Sequence, residues 1–279
     1  MTYKSILVHL DTSEAVHGRL ELALSLAKQG DAHLTGLFTS FTPEPGSFYV
    51  MAGNAELYVE QRQRRAEREG ALERLYRAEL VRAKVSGEWK SSAEYANTVV
   101  PQAARLADLT ILGQYNRDDP DAFVAEQFVE NTVLASGRPV LVVPYAGSVD
   151  TIGSHVMLAW DGSREATRAW HDALPFLARA KRVTILTINA LAHEAPAGRL
   201  PGVDIAAVVS RYCANVVTDE IEGVKGDPIG EMLLSRAADL GADLIVMGCY
   251  GHGRWRELVL GGATRSILKS ITVPVLMSH

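Results

Sequence analysis

The sequence carries one pattern twice, and that duplication restricts the folds open to it more than any other feature. Residues 5–13 read SILVHLDTS and residues 155–163 read HVMLAWDGS. Each is a short apolar run ending in Asp-x-Ser, with an Ala/Leu-rich helical pattern behind it. Residues 107–113 (ADLTILG) match 242–248 (ADLIVMG), and 139–144 (PVLVVP) match 274–279 (PVLMSH). From Gly113 to Leu141 and from Gly248 to Leu276 the two copies align at a constant offset of 135 without a gap. Two homologous halves are expected, residues 1–146 and 153–279, joined by residues 147–152. The length of 279 residues suits two ordinary domains.

Within each half, strands and helices alternate. In the second half, residues 156–161 (VMLAWD) and 182–189 (RVTILTIN) read as strands, the latter rich in β-branched residues. Residues 164–179 have helical periodicity through Ala166, Trp170, Leu174 and Leu177. A helix over Val203–Asp219 and a short strand over Ile221–Lys225 are expected next. Gly226-Asp227-Pro228 is a helix-start signal ahead of Ile229–Leu240. ADLIVMG, residues 262–270 and VPVLM then read as strand, helix and strand. The fold class that follows is α/β: two doubly wound, Rossmann-like domains, each a five-stranded, mainly parallel sheet with helices on both faces. Continuous apolar strands agree, because such sheets are covered on both sides. The first half has 102 positions between Asp11 and Gly113 where the second has 87 between Asp161 and Gly248. The extra residues fall after the second strand, as a Pro/Gly-rich loop (42–53) and a long charged helix (54–82). That helix reads as a solvated one laced with Glu/Arg pairs, with a docking surface as the alternative.

Composition narrows the function. Hydrophobic residues make up 47% and charged residues 22%, so a folded core is assured. The net charge of −5 provides no basic field for nucleic acid. Two cysteines, Cys213 and Cys249, are too few for a disulfide framework or a zinc site. No apolar run reaches membrane-span length, and the N-terminal stretch has no signal-peptide core. A soluble, reduced, cytoplasmic protein is expected, with neither nucleic acid nor membrane as partner.

Ligands of open parallel sheets bind beyond the carboxyl ends of the strands, where the strand order reverses. In the second half two segments lie at such ends: Asp161-Gly162-Ser163, and Gly248-Cys249-Tyr250-Gly251 leading to Gly261-Gly262. Glycines let backbone approach a phosphate, and a following helix N-terminus points N–H groups at the anion. Asp161 would suit a ribose hydroxyl. The plainer reading of Asp-Gly-Ser is an Asx turn or a helix N-cap, and Cys249 reads as a small buried hydrophobe. These residues permit an anion site without naming its ligand.

Gly248-x2-Gly251-x9-Gly261, set between ADLIVMG and a terminal VPVLM, resembles the universal stress protein (UspA-like) family. The strand-end Asp161 and the run GDPIGEMLLSRAADLGADLIVMG fit that layout, and the likeness covers both halves, as in a tandem member. The resemblance implies strand order 3-2-1-4-5, with PVLVVP and VPVLM pairing so that one chain forms a pseudo-dimer. It implies an adenine nucleotide such as ATP, with Mg2+ as an optional companion, and assembly of chains into a homodimer. It further implies that Asp161 touches ribose, that backbone near Ala159 and Ile188 frames adenine, and that Met247, Gly248, Gly251 and Gly261 wrap the phosphates. The family's nucleotide-binding pattern has Ser or Thr after the last glycine; here that position is Gly262, with Thr264 or Ser266 as substitute hydroxyls.

A P-loop, a G-x-G-x-x-G fingerprint and a G-x-S-x-G elbow are all missing from the sequence. A binding and regulatory stress-response protein is therefore expected, ahead of a nucleotide-independent scaffold and a slow ATP hydrolase. The first half keeps Gly113 but has Asn116, Glu126 and Gln127 where the second has Gly251, Gly261 and Gly262. Side chains there would occupy the phosphate path, and Glu126, Asp118, Asp119 and Asp121 would repel an anion. At most one nucleotide per chain, in the second half, is expected.

Overall fold

The computed structural model describes residues 2–39, 55–116, 118, 127–147, 149, 151–188, 202–222, 229–250 and 262–279. The chain divides into two compact units, one of Tyr3–Ala135 and one built on Ser136–His279.

The first unit holds β1 (Ser5–Leu10), α1 (Val16–Gly30), β2 (His33–Thr39), α2 (Ala55–Ala83), β3 (Gly87–Ser92), α3 (Ala96–Ala104) and β4 (Leu109–Gly113). Its strands are parallel in the order β3-β2-β1-β4. Helix α4 (Phe128–Ser136) ends at the boundary, and β5 (Val140–Val143) belongs to the second unit. That unit continues with β6 (His155–Ala159), α5 (Arg164–Asp172), α6 (Leu174–Leu177), β7 (Arg182–Ile188), α7 (Val203–Val209) and β8 (Val216–Ile221). It ends with α8 (Ile229–Leu240), β9 (Leu244–Gly248), α9 (Gly262–Ser270) and β10 (Val275–Ser278). Parallel strands run β8-β7-β6-β9-β10, which is the expected 3-2-1-4-5 order of one repeat. The last strands of the two repeats pair antiparallel, with Val275 opposite Val142 and Met277 opposite Val140, so β10 is not left as an open edge.

The central strands are mostly apolar and buried, as a sheet covered on both faces requires. The shared Ala-Asp-Leu ahead of the fourth strand of each repeat has a structural cause. Asp108 accepts backbone hydrogen bonds from Lys4 (2.8 Å) and Ser5 (3.0 Å), and Asp243 accepts the same pair from Ser154 and His155 (both 3.0 Å). Each aspartate closes the amino ends of two neighbouring strands, opposite their carboxyl ends.

Three expected boundaries are corrected. The helix expected over 164–179 is two, because Pro175 lacks the N–H that would continue α5 and instead occupies the first turn of α6. The helix expected over Val203–Asp219 ends at Val209. Strand β8 occupies Val216–Ile221, not Ile221–Lys225, because the β-branched Val216-Val217-Thr218 run pairs with β7 from Val183 onward. Residues 42–53 and 226–228 lie outside the described residues.

Helix α2 explains the long charged insertion. Glu73 pairs with Arg77 at 2.7 Å on its exposed side, while Leu72, Tyr76 and Leu80 are buried. The Tyr76 hydroxyl donates to Leu34 O on β2 at 2.6 Å, and its ring lies where a side chain on Gly36 would go. Tyr76→Phe should cost about 1 kcal/mol by removing one buried hydrogen bond. Glu73→Gln should cost less than about 0.5 kcal/mol, as exposed helical pairs do. Urea unfolding of the two variants checks this, and a larger loss for Glu73→Gln would contradict the assignment of buried and solvated faces.

Candidate functional site

The strand order of the second unit reverses between β6 and β9, since the chain runs from β6 outward through β7 to β8 before returning. Asp161 and Gly248 flank this switch point, where ligands of open α/β sheets bind. Ala159 ends β6, paired with Leu186 on β7, and the Trp160 N–H donates to Leu186 O at 2.9 Å. Ile188 ends β7 two residues later. Met247 and Gly248 end β9, and Gly262 opens α9 with Thr264 buried in its first turn. The expected residues Ala159, Asp161, Ile188, Met247 and Gly248 thus stand at the carboxyl ends of three adjacent strands. Gly251 and Gly261 lie outside the described residues, as does Glu126 of the first repeat.

Asp161 is exposed, and its Oδ1 accepts from the Ser163 N–H at 2.9 Å. Gly162, at φ +75°, makes this Asx turn without strain. Ser163 caps α5, its hydroxyl accepting from Ala166 N at 3.1 Å. The turn and the cap are therefore both real. They also hold the Asp161 carboxylate at the strand end, facing solvent. Gly248 is required by packing: a Cβ there would lie 2.4 Å from Ala166 N and 2.5 Å from the Glu165 carbonyl carbon. The first turn of α5 rests directly on β9.

In the first repeat the equivalent place is filled by the chain itself. Helix α1 begins five residues after Asp11, whereas α5 begins three after Asp161. Arg19 occupies the space so opened, its Nη1 only 1.8 Å from where a Cβ on Gly113 would be. Arg19 Nη2 is 2.7 Å from Asp11 Oδ1, with both side chains buried. Asp11 Oδ1 also accepts from Ser13 N at 3.1 Å and from the Ser13 hydroxyl. The register places His9 and Thr39 where the second repeat has Ala159 and Ile188. His9 Nε2 and Thr39 Oγ1 are 2.9 Å apart, and Phe128 packs on the His9 ring at 5.0 Å. The position of Phe128 holds Ala263 in the second repeat. Where Asp161 faces water, Asp11 is sealed inside an internal ion pair.

Sequence reasoning missed Arg19, although a signal exists. It falls three residues after Val16 and four before Ala23, on the buried face of α1. A charge on that stripe requires a buried partner.

A model of the universal stress protein family matches residues 2–144 and 154–279. The chain belongs to the universal stress protein family. Universal stress protein Slr1230 of Synechocystis sp. is 28% identical over 154 residues, spanning 53% of this chain and 49% of that one, so the match covers about half of each. A universal stress protein structure from Archaeoglobus fulgidus superposes with a TM-score of 0.70 at 16% identity, covering 98% of this chain and 96% of the other. A putative universal stress protein from Pseudomonas aeruginosa gives 0.60 at 17%, covering 99% and 93%. These universal stress protein structures share the fold over nearly the whole chain. No helix among the described residues is long and apolar enough to cross a membrane.

The sealed cluster has a pH signature. Burial, outweighing the attraction of Asp11, lowers the His9 pKa from 6.5 to about 4, and Arg19 lowers it further. Burial alone would raise the Asp11 carboxyl, but Arg19, His9 and Ser13 together hold it below the ordinary carboxylate range. A base with a depressed folded pKa binds fewer protons folded than unfolded between pH 4 and 6.5, so its stabilising effect is present above 6.5 and lost as pH falls toward 4. At about 1.4 kcal/mol per pH unit the loss is about 3 kcal/mol. The Asp11 contribution is lost only below the ordinary carboxylate pKa. His9→Gln should flatten the stability profile between pH 6.5 and 4 relative to wild type in urea titrations. Equal slopes for the two proteins would contradict this account of the cluster.

Proposed function

We propose that this universal stress protein binds one adenine nucleotide per chain at the strand ends of its second repeat, and that it acts by binding and conformational signalling rather than by turnover. The first repeat then serves as a ligand-free structural partner. One contrast carries the reading: the strand-end aspartate is solvent-facing beside the β6/β9 switch point in the second repeat and locked to Arg19 in the first. The glycine spacing from Gly248 through Gly251 to Gly261 supports the phosphate end of the site, and Gly262 with Thr264 supports a helix N-terminus for the anion. In the first repeat Asn116, Glu126 and Gln127 replace those glycines, which argues against phosphate binding there. Catalysis has no supporting constellation, since no nucleophile and partnered base converge near Asp161 among the described residues. A homodimer in a soluble, cytoplasmic setting completes the reading, with the pairing of β5 and β10 internal to each chain.

Calorimetry of the full chain, stripped of endogenous nucleotide, with ATP, ADP and AMP is the test. The expected result is one site per chain and an affinity weakened at least tenfold by Asp161→Ala, about 1.4 kcal/mol. Two equivalent sites, or binding insensitive to Asp161→Ala, would overturn the assignment. No binding at millimolar nucleotide would leave a nucleotide-independent scaffold as the better reading.

A further inference from the structure

The two repeats have exchanged polar and apolar residues around the glycine that ends the fourth strand. The first repeat has His9 and Arg19 where the second has Ala159 and Ala169. The second has Glu165, Thr264 and Ser278 where the first has Ala15, Val129 and Val143. In the first repeat Arg19 pairs with Asp11 and His9 Nε2 meets Thr39, although Arg19 Nε and His9 Nδ1 have no hydrogen-bond partner among the described residues. In the second, Glu165 and Ser278 carry oxygens without such a partner, and no buried cation among the described residues faces the carboxylate.

Glu165 is 2% exposed and lies at the start of α5, with its Cβ 2.9 Å from where a Gly248 side chain would begin. Its Oε1 is 3.3 Å from the Nε of the exposed Arg164, and its Oε2 has no hydrogen-bond partner among the described residues. Ser278 is 1% exposed, and its Oγ is also without a partner among the described residues. Ser278 is the register partner of Gly248 on parallel β10, so its side chain leaves the sheet on the same face as Glu165. Cys249, the next residue along, is buried, and burial followed by the Glu165 charge pushes its thiol far up, so it remains a neutral neighbour rather than a thiolate. Two buried oxygens are thus left unsatisfied on either side of the strand end toward which phosphates would be drawn. A buried carboxylate demands a compensating positive charge.

We infer that Glu165 Oε2 and Ser278 Oγ are the protein's ligands for a divalent cation that enters with the phosphates of the bound nucleotide. The inference rests on the nucleotide reading above. Both donors are hard oxygens, the type preferred by Mg2+, which is commonly held by one or two carboxylates together with substrate phosphates. No cluster of three or more His, Cys, Asp or Glu able to hold a metal occurs among the described residues, so Glu165 and Ser278 need further donors, which the phosphates supply. The cation therefore follows the nucleotide and does not precede it. A carboxylate beside the phosphates would repel a bare nucleotide, and the cation turns that repulsion into attraction. The first repeat, with Ala15 and Val143 at these positions, has neither ligand.

The test uses the full chain with Mn2+ as probe, followed by electron paramagnetic resonance, beside calorimetry with ATP in EDTA and in Mg2+. Wild type should not retain Mn2+ alone at micromolar concentrations but should retain it when ATP is present. Its ATP affinity should rise at least tenfold from EDTA to Mg2+. Glu165→Gln, which keeps the side-chain shape, should lose most of that gain while binding ATP in EDTA as well as wild type or better. Ser278→Ala should lose a smaller part, and thermal melts verify that both variants fold. An equal Mg2+ gain in wild type and Glu165→Gln, or tight Mn2+ binding without nucleotide, would overturn the inference while leaving the nucleotide site standing. Failure of ATP to bind in either medium would overturn the nucleotide reading and this inference with it.

Discussion

How closely a helix can approach the glycine at the end of its neighbouring strand governs both strand-end crevices. In the second repeat α5 begins at once after its Ser163 cap, and its first-turn backbone rests on Gly248. Any side chain at 248 would push the helix away from the sheet. In the first repeat the turn is longer, α1 starts later, and the gap against Gly113 is taken by the Arg19 guanidinium. The same glycine, inherited by both repeats, thus admits backbone in one and a cation in the other.

That difference propagates into electrostatics. A guanidinium pressed into a sheet must find a buried anion, and Asp11 supplies it at 2.7 Å. Removing one member of such a pair costs about 3–5 kcal/mol, so the cluster of Asp11, Arg19, His9 and Thr39 is self-sustaining. Among the described residues the second repeat has no such buried cation. Its Asp161 faces solvent, and Glu165 and Ser278 keep unsatisfied oxygens beside Gly248. One repeat pairs a buried cation with a buried anion, and the other keeps a buried carboxylate beside the exposed Arg164.

Much of this architecture was legible in the residues. The repeated Asp-x-Ser and Ala-Asp-Leu runs mark equivalent strand ends, and the repeated Pro-Val-Leu marks the strands that pair between repeats. Alternating apolar runs and amphipathic stretches give the parallel sheet. Local boundaries were less readable where two preferences compete. Residues 210–219 carry enough apolar spacing to extend a helix, yet Val216-Val217-Thr218 gains more by pairing with β7. The candidate site was read through Asp161 and the glycines, but Arg19, Glu165 and Ser278 acquire meaning only from burial. Gly248 could be recognised as necessary from the sequence; that a helix rather than a phosphate first demands it is a fact of packing.

The central claim is an asymmetry: an open strand-end site in one repeat and a sealed one in the other. Hydrogen–deuterium exchange on the intact chain, with and without saturating ATP and Mg2+, tests it most directly because each repeat is read separately in one molecule. The account predicts slowed exchange in peptides covering residues 156–166, 183–188 and 244–250, with none in peptides covering 6–19, 33–39 and 109–114. Protection of the first-repeat peptides, with the second-repeat peptides unchanged, would contradict it.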